Sequence, residues 1–387
     1  MNILAVDTET STHNKGNPFD PRNKLVCISW ADESGSGAIE ATPDGIEEFA
    51  KRLAECRIYV GFNSKFDIHW LRKVGLRLPD TCSIWDCQLG EFILSGQQWR
   101  YPDLASSVQK RCSEHGSKLS DLVEEFWKSG VQTEDIPWSV LSRYATADAE
   151  VTLNLYHAQQ DTMTPAQRRL CRMQGLDLLV LEEMEWNGLR YDEALLERRA
   201  EEIRTKIQEI TDALSGVYPD IPINFNSGDH LSAFLYGGTV AEEVKVHIGF
   251  YKTGAKAGLA KFKNDVVKHE LPRLVTPLRG TELKKEGFFQ TNADTLLKLK
   301  GNRKTKEIID LIKQRSRFDS LLTKTYEGIA KVNEAQNWER GWLYGQYNQC
   351  VAQTGRLSSS NPNQQNFDSE AADLFVSRYG YQDQSSE

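Results

Sequence analysis

Short apolar runs rich in β-branched and aromatic residues alternate, in the first 160 residues, with longer stretches spaced as one face of a helix. Residues 2–6 (Asn-Ile-Leu-Ala-Val) and 25–31 (Leu-Val-Cys-Ile-Ser-Trp-Ala) read as strands, with a third expected near 38–41. From Pro43 to about Glu55 the apolar positions Ile46, Phe49, Ala50 and Leu53 share a helical face, opened by Asp44-Gly45. A strand over 57–62 follows. Helices are expected over 66–74, 85–94, 102–112, 119–128 and 138–160. This mixed order predicts an α/β layer fold.

The pattern changes after a connector at 161–168. A helix is expected from about Pro165 to Trp186, stopped by Asn187-Gly188, and another over 193–216. Asn226-Ser227-Gly228-Asp229 opens a short helix through Tyr236. Residues 237–290 are rich in Gly and Lys with weak periodicity, which predicts loops and a mobile tip. Thr291 to Asp294 reads as a helix start of capping-box type, a long helix covers 304–333, and 343–358 reads as a β-pair. The expected domains are therefore 1–164 and 165–387.

With 387 residues, 39% hydrophobic and 26% charged, the chain has the composition of a globular protein with room for two cores. No run approaches the roughly 18 apolar residues of a membrane span, and the start has no basic secretion-signal pattern. Seven scattered cysteines without a CxxC pair read as reduced thiols in a cytosolic setting, not as a zinc site. The net charge of -8 is unevenly spread: residues 251–360 hold 21 Lys+Arg against 11 Asp+Glu. An acidic half joined to a basic one points to phosphate contact in the second half.

The chemistry is concentrated near the start. Asp7 and Glu9 are two apart on a strand, so both leave one face, while Tyr144 and Asp148 are four apart on a helix and share a face. Asn63, Phe66 and Asp67 follow the strand at 57–62. Taken singly, each pair is an ordinary surface feature. Gathered by the fold, four carboxylates would need hard cations to offset their repulsion. Two Mg²⁺ or Mn²⁺ ions in such a cage would activate a water and stabilise the leaving oxygen of a phosphodiester.

In this order the motifs Val6-Asp7-Thr8-Glu9, Asn63-x-x-Phe66-Asp67 and Tyr144-x-x-x-Asp148 resemble the DEDD exonuclease superfamily, in the branch with tyrosine in its third motif. The resemblance implies a ribonuclease H-like fold and removal of nucleotides from 3′ ends with two metals. It implies that Asp7, Glu9 and Asp148 bind metal directly and that Asp67 acts largely through water. By the same likeness Tyr144 orients the attacking water, and Asn63 and Phe66 seat the strand end.

The later stretch Thr354-Gly355-Arg356-Leu357-Ser358-Ser359, continuing through Pro362-Asn363-Gln364-Gln365-Asn366, resembles a motif of family A DNA polymerases, the bacterial polymerase I and phage replicase group. Residues 180–192 resemble the entry to that family's polymerase domain, and Arg315 to Tyr326 the helix from thumb to palm. This implies a mainly helical thumb with part of a palm sheet after the exonuclease domain. Arg356, Asn363, Gln365 and Asn366 would then touch the primer end, and Arg315 and Lys324 its phosphates.

The family's catalytic polymerase strand and fingers helix do not appear before residue 387, so three readings stand. The chain is the proofreading and primer-template-binding portion of a split phage-type polymerase, completed by a C-terminal partner subunit in an infected bacterial cytoplasm. Alternatively it is a self-sufficient 3′-5′ DNA exonuclease with a thumb-like DNA-binding domain. The third reading, a non-catalytic DNA-holding assembly subunit, conflicts with the intact acidic set.

Overall fold

The computed structural model describes residues 2–112, 120–253 and 258–377, without the side chains of residues 120 and 121. Contacts divide them into two compact units. One contains residues up to Glu193 together with those from Gly328, and the other spans Ala194–Glu327.

The first unit is built on a five-stranded sheet. Its elements are β1 (Ile3–Thr10), β2 (Leu25–Asp32), β3 (Gly35–Glu40), α1 (Pro43–Ala54), β4 (Ile58–Gly61), α2 (Ser64–Lys73), β5 (Ser83–Asp86) and α3 (Cys87–Leu94). After these come α4 (Leu104–Arg111), α5 (Ser120–Lys128), α6 (Trp138–Thr162), α7 (Pro165–Asn187) and β6 (Leu189–Tyr191). The strand order is β3-β2-β1-β4-β5. The β1–β2 and β2–β3 pairs are antiparallel, and β1–β4 and β4–β5 are parallel. This is the ribonuclease H-like arrangement that the motifs implied.

Burial explains the layering. Ala5, Cys27, Tyr59, Val60, Trp70, Phe49 and Phe92 are fully enclosed between sheet and helices. The apolar run at 85–94 reads as one helix in the sequence, but Ser83–Asp86 pairs with β4 as an edge strand. Asp86 then starts α3 by accepting from the Leu89 N–H at 2.9 Å. Four residues are too few for periodicity to separate a buried strand from a helical turn.

The second unit contains α8 (Glu193–Ser215), α9 (Gly228–Tyr236), β7 (Gly238–Phe250), β8 (Ala260–Leu271), α10 (Ala293–Lys298) and α11 (Arg303–Leu321). Its core gathers Leu214, Phe234, Leu235, Tyr236, Leu296, Ile308, Ile309 and Ile312. The expectation of loops over 237–290 is wrong for about its first two thirds: β7 and β8 form a long antiparallel ribbon, from Gly238↔Leu271 to Phe250↔Ala260, while residues 254–257, within the stretch where a mobile tip was expected, lie outside the described residues. Only Val240 and Leu271 at its base are buried. With no covered face, the ribbon needs no clean alternation of apolar and polar residues. The helix start near 291 is also differently built: Asn292 is the N-cap and accepts from Thr295 N, so no box with Asp294 forms.

After α11 the helical path continues through a five-residue π segment, Leu322–Tyr326, into α12 (Glu327–Gln336). The chain then adds β9 (Trp342–Leu343), β10 (Gln346–Asn348), β11 (Ser358–Ser360) and β12 (Phe375–Val376) to the first unit. β12 and β9 flank β6, and β10 pairs antiparallel with β11. The expected β-pair at 343–358 is thus present, shifted to 346–360. The polar tail after Ser377 lies outside the described residues.

Candidate active site

β1 outruns its parallel neighbour. Pairing with β4 stops at Ala5↔Val60, so the strand from Val6 onward has no backbone partner on that side. There α2 takes over. Asp67 Oδ1 accepts from the Thr8 N–H at 3.0 Å and from Thr8 Oγ1 at 2.7 Å, standing in for the missing strand. Asn63 begins α2 in the left-handed region at φ 61, a conformation that Asn tolerates better than most residues. It lets the chain turn sharply from β4 so that Asp67 faces β1.

Asp7 and Glu9 leave β1 on a common face, and α6 packs against β1, β2 and β3. Carboxylate oxygens of Asp7, Glu9 and Asp148 all lie within 4.8 Å of one another. The Tyr144 hydroxyl hydrogen-bonds to Asp148 one turn away. Burial, then the negative charges of Glu9 and Asp148, push the Tyr144 phenol far above its usual range. It therefore stays a neutral hydrogen-bond donor. Its ring meets Trp127 of α5 edge-on, with centroids 5.8 Å apart, and Trp127 Nε1 is anchored on Thr133 Oγ1 at 3.1 Å.

Asp67 stands outside the group of three and is almost fully enclosed at 2% exposure. Burial pushes its carboxyl up to about 7, against the two Thr8 hydrogen bonds that favour the ion. Asp86 is also raised by burial, and its side chain accepts from Ser64 N at 2.6 Å, fixing the first turn of α2. Three clustered carboxylates with no nitrogen or sulfur donor among them make an all-oxygen set suited to a hard divalent cation.

The other expected contact residues divide between the units. Arg356, Asn363, Gln365 and Asn366 lie exposed around β11 and its following 3-10 turn, with Ser359 accepting from Gln364 N to close that turn. Arg315 and Lys324 belong to the second unit. Lys324 is exposed on the π segment. Arg315 is half-buried and engaged internally, donating to Thr211 Oγ1 at 2.9 Å and to Asn226 Oδ1 at 2.8 Å. Thr8, Trp127 and Asp86 were not singled out by sequence reasoning. Thr8 lies between the two acids of its motif, a position that could have flagged it.

A second polar cluster joins α2 to α7. His69 is buried, with Nε2 3.0 Å from Glu185 Oε2 and Nδ1 3.2 Å from Glu182 Oε1. Burial opposes a charged ring, but the two carboxylates outweigh it and raise the imidazole above its usual range. Glu185 also holds Lys65 at 2.5 Å, and Arg72 pairs with Glu182 and Glu183.

A ribonuclease H-like sheet presenting clustered carboxylates and a tyrosine defines the class: a nuclease-type domain of the 3′-5′ exonuclease kind. Residues 1–163 match the family described as 3′-5′ exonuclease, and residues 273–378 match DNA polymerase family A. The two matches cover separate parts of the chain. It is 27% identical over 309 residues to DNA polymerase I of Chloroflexus aurantiacus, covering 79% of this chain and 28% of that protein. It is 27% identical over 239 residues to DNA polymerase DpoZ of Salmonella phage PMBT28, covering 54% of this chain and 34% of that protein. The chain thus spans about a third or less of these relatives' length. Among solved structures it resembles the POL domain of Pol1 from M. smegmatis in complex with DNA primer-template and dNTP. That match has a TM-score of 0.66 and 19% identity, and covers 98% of this chain and 56% of the other. Among the described residues no helix is long and apolar enough to cross a membrane.

Proposed function

We propose that the chain removes nucleotides from the 3′ end of DNA and serves a family A polymerase as its proofreading and primer-template-binding portion. The observation that carries this reading is the convergence of Asp7, Glu9 and Asp148 within 4.8 Å, with Tyr144 hydrogen-bonded to Asp148. Asp7, Glu9 and Asp148 would hold divalent cations, two Mg²⁺ or Mn²⁺, with Asp67 contributing through water. Bound there, such ions lower the pKa of water and neutralise charge developing on the leaving oxygen.

The chain's own groups do the positioning. Tyr144, kept protonated, orients the attacking water by its hydroxyl. Thr8 fixes Asp67 beside β1. Asn63 and Phe66 seat the terminal nucleotide. Arg356, Asn363, Gln365 and Asn366 grip the primer-end duplex, and Lys324 with the neighbouring lysines adds salt-dependent, sequence-independent affinity. Arg315, held within its own unit by Thr211 and Asn226, would lend its charge to phosphate binding there. In the split reading, the acidic groups for synthesis would come from a separate C-terminal subunit.

The purified chain should shorten single-stranded DNA from its 3′ end with Mg²⁺ or Mn²⁺ and not with Ca²⁺. Joint Asp7→Ala and Glu9→Ala substitution should abolish that activity; unchanged degradation would overturn the assignment. With primed template and dNTPs this chain alone should give no extension, and a co-purifying subunit should restore it. Extension by the chain alone would overturn the split reading.

A further inference from the structure

The strand β10 has one edge paired with β11 and the other satisfied by two side chains. Tyr347 N–H donates to Glu185 Oε1 at 2.7 Å, and Lys65 Nζ donates to the Tyr347 carbonyl. Lys65 and Glu185 are themselves joined at 2.5 Å, with side chains 14% and 6% exposed. An ion pair thus reads both backbone groups of one residue, as a neighbouring strand would. Glu185 is fixed in turn by His69 on its second oxygen.

The two ends of this arrangement lie in regions that the proposed function separates. Lys65 stands between Asn63 and Phe66, two residues before Asp67. Tyr347 faces Ser359 across β10–β11, three residues beyond Arg356. Asn63 and Phe66 also share the walls of one cleft, about 290 Å³, with Gln346, Tyr347 and Asn348, and Lys65 and Glu185 line it too. A displacement of the first turn of α2 therefore reaches the β10 backbone through part-buried, charge-assisted hydrogen bonds.

We propose that Lys65 and Glu185 are positioning residues that couple seating of the 3′ end at Asn63 and Phe66 to the placement of β10–β11 and its Arg356 loop. The pair acts through Tyr347 and touches neither the reacting phosphate nor the cations. This inference rests on the strand-end role given above to Asn63 and Phe66. Severing the pair should impair excision most where both regions must hold one DNA molecule, on a mismatched primer-template. A single strand engages only the first region.

The test uses the full chain with Lys65→Met and Glu185→Gln. First, hydrogen exchange is followed at 346–348 and 358–360 with and without a single-stranded oligonucleotide in Ca²⁺. In wild type the oligonucleotide should slow exchange at these strands, and in both variants this response should vanish. Second, kcat/KM should fall about tenfold more on a mismatched primer-template than on a single strand. Lys65→Arg, which keeps the charge, should restore part of the difference. Equal losses on both substrates, or an exchange response that survives in the variants, overturns the coupling. If wild type binds the oligonucleotide and shows the exchange response but cleaves nothing, the nuclease reading fails and the coupling stands.

Discussion

Asp7, Glu9 and Asp148 project from a central strand and a long helix, whereas Arg356, Asn363, Gln365 and Asn366 ride on exposed loop and a single 3-10 turn. On the proposed function, the difference follows what each set would hold. Clustered carboxylates repel, and their oxygens must stay within a few ångströms, so they need elements whose backbone is firmly held. Contacts to a polymer's backbone and groove spread over many weak bonds and tolerate a moving support. One region concentrates energy in a few atoms, and the other distributes it.

Single substitutions should break that contrast unequally. Asp148→Asn removes one charge from the cluster and should lower 3′-end degradation by about 1000-fold, measured by single-turnover kinetics. Thr8→Val takes the hydroxyl from Asp67 and leaves only the backbone bond. It should cost roughly 1–3 kcal/mol in urea unfolding and about tenfold in rate. Arg356→Ala should weaken primer-end duplex binding about tenfold by fluorescence anisotropy while sparing single-strand degradation. A comparable loss of single-strand degradation would show that the two regions do not divide the work.

The smallest effect concerns pH. His69 is raised in the folded chain by Glu182 and Glu185. A raised histidine contributes stability that is fully present below its unfolded value near 6.5 and lost as pH rises through the folded one. Stability to urea should therefore fall as pH rises above about 6.5, and His69→Gln should flatten that slope. An equally steep slope in the variant would assign it to other groups.

What was legible from sequence follows the range of the forces involved. The period of two on β1 and of four on α6 placed Asp7 with Glu9 and Tyr144 with Asp148, because local backbone geometry alone sets those faces. The Thr8–Asp67 bonds depend on where β4 stops, and no local pattern records that. The Lys65–Glu185–Tyr347 arrangement joins positions 120 and 162 residues apart, through charged residues that single-sequence reading assigns to surface. The β7–β8 ribbon escaped for the opposite reason: it stands almost free of any core, so burial wrote little pattern into it.

That ribbon also has a colloidal consequence. Val246, Ile248, Phe250, Phe262, Val266 and Val267 are all exposed along strands of 13 and 12 residues whose outer edges carry no further strand among the described residues. Long apolar edges invite copies of a protein to stack. Lys245, Lys261, Lys263 and Lys268 alternate along the same strands with Glu242, Glu243, Asp265 and Glu270, and stacking another strand on such an edge would strip water from those charges. The charged side chains of both signs on this element thus act as gatekeepers against edge-to-edge association.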